Sequence, residues 1–118
     1  MSAGKLKLLI EQGATFRKLL TWKAGTPAVP VDLTGCTARM QIRGVIDDAA
    51  PLVSLTTENG GITLGDDAGT IELYISDTDT ADMTWTTGVY DLEVILANGD
   101  VRRLLFGPVA VTQEVTRD

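Results

Sequence analysis

Histidine is absent from this chain of 118 residues, and cysteine occurs only once. The lack of histidine removes the commonest general base, the usual activator of a nucleophile and the favoured ligand of transition metals. Ser-His-Asp and Cys-His catalytic sites and histidine-based zinc sites are therefore excluded. The single cysteine, Cys36, cannot form an internal disulfide, so the fold depends on packing alone. Cys36 falls on the apolar side of an alternating segment, which favours a small core residue over a reactive thiol.

Aromatic residues and long apolar runs are also scarce. Aromatics make up 5% of the sequence, so a core must be built mainly from Leu, Ile, Val and Met. No apolar run approaches the roughly 20 residues that a membrane-spanning helix needs. Leu8–Ile10 is shorter than the apolar segment of at least about 7 residues in a secretion signal. The sequence predicts one soluble domain over residues 1–118, folded in a cytoplasm and without membrane contact.

Acidic residues outnumber basic ones, and the two signs are unevenly distributed along the chain, whose net charge is −6. Residues 1–43 carry seven basic and two acidic groups, whereas residues 44–118 carry three basic and fourteen acidic groups. If these parts occupied different faces, complementary potentials would favour head-to-tail association. If the strands interleave, the signs mix on one surface, and we favour this arrangement. The overall acidity argues against nucleic-acid binding, which needs a concentrated basic surface.

Carboxylates are the remaining candidates for chemistry. Asp77, Asp79 and Asp82 share one short segment, and Asp66–Asp67 precedes a glycine-containing turn. Neither group matches an EF-hand loop, because the turn glycine and the terminal bidentate glutamate are missing. Helix capping and a solvated turn account for both groups. The sequence nominates no carboxylate pair for catalysis, and it predicts a non-enzymatic protein with no metal and no cofactor.

Alternation of apolar and polar residues is the strongest structural signal. Cys36, Ala38, Met40 and Ile42 alternate with polar neighbours, a pattern that predicts a half-buried antiparallel strand. The same criteria, with Gly and Pro turn signals between the segments, predict further strands at 5–12, 15–23, 52–56, 62–64, 70–75 and 109–116.

One short helix is predicted near residues 76–83. Ser76 can cap the first turn, and Asp77 and Asp79 lie where the helix dipole favours carboxylates. With seven to nine short strands around it, the chain is expected to be all-β. The predicted architecture is a single antiparallel β-sandwich of Ig-like type, or a small barrel.

A β-hairpin is predicted at residues 88–107, where two strand-like runs flank Asn98–Gly99. A two-residue loop would pair Leu92 with Leu105. Ile95, Leu104 and Phe106 would then form an outward apolar stripe, which on a small soluble domain marks an interface.

The second possible register has a three-residue loop and a bulge. It pairs Leu92 with Leu104 and Glu93 with Arg103, which gives one apolar face and one salt-bridged face. We favour this register. Together with two arginines on the polar side of the 36–43 strand, the hairpin gives the candidate interface residues Arg39, Arg43, Ile95, Leu104 and Phe106.

Three segments together resemble small all-β virion proteins of phages and prophages: residues 12–22, 31–43 and 88–107, which include Gln12–Phe16, Val31–Arg43 and Gly88–Val94. The resemblance implies an Ig-like or related β-sandwich module that assembles on tails, baseplates, fibres or capsids. Its partners would be other virion proteins and copies of itself. Its location would be the virion, after synthesis in the host bacterial cytoplasm.

The resemblance implies a tail, baseplate or tail-fibre-attachment component, with a capsid decoration protein as the alternative. A receptor- or carbohydrate-binding module is a third hypothesis, against which burial of both Trp22 and Trp85 would count. Tyr90, which follows Gly88 and Val89, is similar to the tyrosine corner of Ig-type sandwiches. In that motif the hydroxyl bonds to backbone a few residues upstream. The other interpretation of Tyr90 is an ordinary strand aromatic.

Overall fold

A computed structural model describes residues 4–116. These residues form one short α-helix, α1 (Asp77–Ala81), one 3-10 turn (Asp66–Ala68) and eleven strands. The strands are β1 (Gly4–Lys5), β2 (Leu8–Glu11), β3 (Phe16–Thr21), β4 (Lys23–Ala24), β5 (Val29–Pro30), β6 (Thr37–Arg43), β7 (Val53–Thr56), β8 (Ile62–Leu64), β9 (Thr70–Ile75), β10 (Thr87–Ile95) and β11 (Val101–Thr112). No helix in this part of the chain is both long and apolar enough to cross a membrane.

Two sheets enclose the core. The larger sheet has the order β1-β11-β10-β6-β7, with β2 also paired to β11, and the smaller sheet has the order β3-β9-β8. Strands β4 and β5 form a separate two-stranded ribbon. The predicted all-β sandwich is confirmed, and residues 4–116 form no closed barrel. The structure has more strands than the predicted seven to nine. The difference comes from three two-residue strands, β1, β4 and β5, which are too short to be recognised in the sequence.

The core follows directly from the alternation in the sequence. Successive side chains of a strand point to opposite faces, and in β6 this buries Ala38, Met40 and Ile42 while their neighbours face solvent. Strand β10 contributes Leu92 and Val94, both fully buried. The buried residues of the smaller sheet are Ile62, Ile71, Leu73 and Ile75.

The N-terminal strands differ from the prediction, since β1 and β2 run parallel to β11 and the larger sheet is therefore not purely antiparallel. Lys5 aligns with Phe106 and Leu8 with Val109, so both strands keep one register along β11. The ladder is interrupted opposite Pro108, which has no N–H to donate. Strand β11 continues through this proline as a single twelve-residue strand, whereas the sequence predicts a new strand after it.

Helix α1 lies within the predicted 76–83 segment. The Ser76 hydroxyl accepts a hydrogen bond from the Asp79 N–H at 3.2 Å, as a capping residue does. Thr80 is fully buried; its hydroxyl accepts from the Gly13 N–H at 3.1 Å and donates to the Ala14 carbonyl at 2.8 Å. The helix therefore fixes the connection between β2 and β3.

Tyr90 ties the N-terminal segment to the larger sheet. Its hydroxyl donates to the Leu6 carbonyl oxygen at 2.7 Å, across 84 positions of sequence. The tyrosine-corner interpretation is therefore wrong, because the acceptor is not a nearby upstream residue. The side chain is 5% exposed, and burial raises the pKa of the Tyr90 phenol to about 12.

Tyr90→Phe should lower the free energy of unfolding by about 1 kcal/mol near neutral pH, because the Leu6 carbonyl loses its donor. The pKa of Tyr90 is higher in the folded chain, about 12, than the ordinary value of 10.0. Its contribution is therefore complete below about pH 10 and is lost as the pH rises towards 12. Urea denaturation of both proteins from pH 8 upward should show their difference in stability shrinking in that window. A difference that stays constant there would contradict the assignment.

Candidate protein-protein interface

The face of the larger sheet that points away from the core forms a shallow depression of about 880 Å³ over β1, β11, β10 and β6, here called the outer-face groove. Its side chains alternate with the buried ones, as the two-residue period of a strand requires. Register places Lys5, Phe106, Asp91 and Gln41 in one row across four strands. Phe106 is half-buried in this row.

Two arginines hold the acidic side chains of the outer-face groove. Arg39 Nε lies 2.7 Å from Glu93 Oε1, and Arg103 Nε lies 3.6 Å from Asp91 Oδ2. The Arg103 guanidinium also lies over the Phe106 ring, 4.8 Å from its centre. A cation over an aromatic face is attracted by the quadrupole of the ring. Arg103 therefore contacts both Phe106 and Asp91.

The outer-face groove has an excess of positive charge on an acidic protein. Four basic and two acidic side chains line it: Lys5, Arg39, Arg43, Arg103, Asp91 and Glu93. Arg43 donates to Gln41 Oε1 and to the Asp48 backbone carbonyl, both at 2.7 Å. Within residues 4–116, no carboxylate oxygen lies within 4.0 Å of the charged nitrogens of Arg43 or Lys5. An acidic surface can therefore complement the groove.

The structure brings together three of the five candidate residues. Arg39, Arg43 and Phe106 line the outer-face groove. Ile95 has the same orientation as Glu93 but lies at the end of β10, opposite Thr37 and Val101, and is not among the lining residues. Leu104 instead packs against the core, so it does not join the outward stripe that the two-residue loop would give.

The hairpin combines the two predicted registers. The Leu96 N–H donates to the Asp100 carbonyl at 2.7 Å, which closes a three-residue loop, and Glu93 is opposite Arg103. The register then shifts, and Leu92 is opposite Leu105, as in the two-residue alternative.

Leu104 is the extra residue of this bulge. At a bulge two residues of one strand oppose a single residue of its neighbour, and here Leu104 and Leu105 both pack against the core. The shift turns Phe106 to the outer face, opposite Asp91. Neither predicted surface is therefore fully correct, since Phe106 faces outward without Leu104 beside it.

Charges from the two parts of the chain mix on the surface, as the sequence analysis favours. Arg39 in the basic part pairs with Glu93 in the acidic part, and Arg17 Nη1 lies 3.2 Å from Glu72 Oε1. The larger sheet contains strands from both parts of the chain. The molecule therefore has local charged patches rather than two oppositely charged halves.

The other residues considered in the sequence lie outside the outer-face groove. Trp22 and Trp85 are half-buried and pack against the core, as does Cys36. The Asp32 carboxylate accepts a hydrogen bond from the Thr34 N–H at 3.0 Å. Hydrogen bonds from the Thr34 side chain and backbone lower the pKa of Asp32. In the described part of the chain, no group of three or more acidic or cysteine side chains is arranged to hold a metal ion.

Sequence reasoning missed Lys5, Asp91 and Arg103 as members of the outer-face groove. Lys5 reaches it through parallel pairing with a strand about a hundred residues away, for which the sequence has no local signal. Arg103 was predicted opposite Glu93 on the salt-bridged face of the bulged register, as the structure has it, but it was not among the candidate interface residues. Comparison of the chain with models of protein families and with curated proteins finds no match.

Proposed function

We propose that this chain is a structural protein of a bacteriophage particle, a tail, baseplate or tail-fibre-attachment component that acts by protein-protein assembly. The segments that resemble virion proteins include β3, β6 and the β10–β11 hairpin, and the last two of these elements build the outer-face groove. The groove is the observation that carries the proposal. It offers an open sheet face with the Phe106 ring and three arginine side chains to a partner.

The chemistry of the outer-face groove supports a protein partner. Aromatic and arginine side chains are enriched in protein-protein interfaces and among the residues that contribute most to binding. Phe106 supplies apolar area, while Arg43 and Lys5 supply positive charge that is not matched by a carboxylate in residues 4–116. The surface that fits is therefore an acidic one with an apolar centre on another virion protein.

Incorporation into particles tests both the location and the contact. The particles are purified on a density gradient from the bacterium that encodes the chain, and the chain is quantified by peptide mass spectrometry. We expect the wild-type chain in the particle fraction and about tenfold less of Arg43→Glu, because the reversed charge repels an acidic partner. Arg102→Glu is the matched control, since Arg102 is exposed on β11 but does not line the groove.

The outcomes separate the two parts of the proposal. A chain that is absent from purified particles would contradict the virion assignment. If Arg43→Glu and the control were incorporated equally with the wild type, the outer-face groove would not be the contact. Electron microscopy of antibody-labelled particles places the chain on the tail or on the capsid, and a capsid position would identify a decoration protein instead.

A further inference from the structure

Strand β3 leaves one edge of the smaller sheet open. It pairs with β9 on one side over all six of its residues, Phe16–Thr21. Within residues 4–116, its backbone N–H and carbonyl groups make no hydrogen bond outside that ladder. The open edge ends at Trp22, whose N–H donates to the Gly69 carbonyl at 2.8 Å and whose carbonyl accepts from the Val31 N–H at 2.9 Å. An edge of this length matches a typical strand.

The larger sheet, in contrast, has an edge at β7 that is closed by a side chain. The Thr56 N–H donates to Asn59 Oδ1 at 2.9 Å, and Asn59 Nδ2 donates to the Ser54 carbonyl at 3.0 Å. Asn59 Oδ1 also accepts from the Gly61 N–H at 2.8 Å. The amide therefore occupies backbone groups that a further strand would use. Natural sheets protect their edges in such ways, because an unpaired edge recruits other chains.

The surroundings of the open edge are basic and partly apolar. A gap of about 350 Å³ between β2 and β3 is lined by Lys7, Arg17 and Lys18 against one acidic side chain, Glu11. Arg17 pairs with Glu72, whereas Lys7 and Lys18 have no carboxylate within 4.0 Å in the described residues. Leu19, in the middle of β3, is 63% exposed.

We propose that β3 binds an extended, acidic segment of a partner protein by strand addition. Backbone hydrogen bonds to an open edge supply affinity in this mode, and side chains of the added strand supply specificity. Acidic side chains of the partner would face Lys7 and Lys18, and an apolar one would cover Leu19. This surface is separate from the outer-face groove, and the inference does not depend on that groove.

The charge of the edge argues against the pairing of two β3 strands from two copies. Two β3 strands paired with each other would bring Arg17 and Lys18 of both copies into close proximity, and like charges on paired strands destabilise a sheet. The β7 edge of a second copy is closed by Asn59. An acidic strand from a different protein avoids both obstacles.

A peptide titration followed by amide NMR shifts tests the inference. The probe is a peptide of about seven residues that alternates glutamate with valine, and the control peptide alternates lysine with valine. We expect the acidic peptide to shift the amides of residues 16–21, and Lys18→Glu to weaken binding about tenfold. Arg102→Glu is the matched variant, because it reverses an exposed charge outside both the outer-face groove and the β3 edge and should leave the titration unchanged.

Asn59→Ala provides an independent arm. Removal of the amide opens the β7 edge, but Asp79 and Asp82 line the space beside that edge, so the acidic peptide should still shift only the amides of residues 16–21. The wild-type titration decides the inference whether or not this variant folds. Three results would overturn it: no shift in β3 with the acidic peptide, equal shifts with the lysine peptide, or concentration-dependent shifts in β3 without any peptide. The last result would identify a second copy as the occupant.

Discussion

Gly107→Ala should lower the free energy of unfolding by about 2–3 kcal/mol. A Cβ atom at position 107 would lie 2.4 Å from the Leu6 carbonyl oxygen and 3.0 Å from its carbon, both of which are backbone atoms. The N-terminal segment would have to move away from β11. Because the same Leu6 carbonyl accepts the Tyr90 hydroxyl, that movement would also break the buried hydrogen bond. Urea denaturation at neutral pH measures the loss.

Gly4→Ala is the control for Gly107→Ala. A Cβ atom at position 4 would lie 3.3 Å from Leu105 Cδ2, the end of a flexible side chain that can give way. We expect little change in stability from this substitution, although it lies in the strand that pairs beside Gly107. Equal losses in the two variants would show that the close approach of Leu6 to Gly107 is not what restricts position 107 to glycine.

Leu92→Ala should cost about 2–5 kcal/mol, the range for removal of a fully buried leucine side chain. Leu92 is 0% exposed and lies on β10, with Met40 of β6 and Leu105 of β11 directly opposite it on its two sides. The residues on the adjacent strands cannot move freely into the space left by the leucine side chain, because hydrogen bonds to neighbouring strands hold their backbones in place. We therefore expect a cavity and a lower denaturation midpoint in urea.

Leu19→Ala is the matched control for Leu92→Ala. It removes the same atoms from a leucine that is 63% exposed, so the change should remain within about 0.5 kcal/mol. Similar losses in the two variants, whether large or small, would contradict the placement of Leu92 in the core between the two sheets.

Local signals in the sequence were sufficient for the regular parts of the fold. Strict alternation predicted β6, and the segments 62–64 and 70–75 agree with the bounds of β8 and β9. The helix was predictable because Ser76 and the acidic first turn act on their own neighbours. In the candidate site, Arg39, Arg43 and Phe106 were predicted for similar reasons, since each stands on a recognisable strand.

The parts that could not be predicted depend on contacts between distant segments. Parallel pairing of β1 with β11 is decided by which edge of the finished sheet remains free, not by residues 4–5 themselves. The bulge at Leu104 lets two adjacent leucines share the core, and it moves every later residue of β11 by one position against β10. The sequence predicts a break at Pro108, whereas β11 continues through it and only the parallel ladder is interrupted there.

The parallel course of β1, β2 and β11 gives the molecule a direction of mechanical strength. A force that pulls β1 backwards along its own axis and β11 forwards slides the two strands past each other. The hydrogen bonds between them then carry the load together and must break together, whereas an antiparallel hairpin pulled from its open end unzips one bond at a time. The hydrogen bond from the Tyr90 hydroxyl to the Leu6 carbonyl, between β1 and β2, resists the same load. A load along these strands is therefore shared among several backbone hydrogen bonds at once.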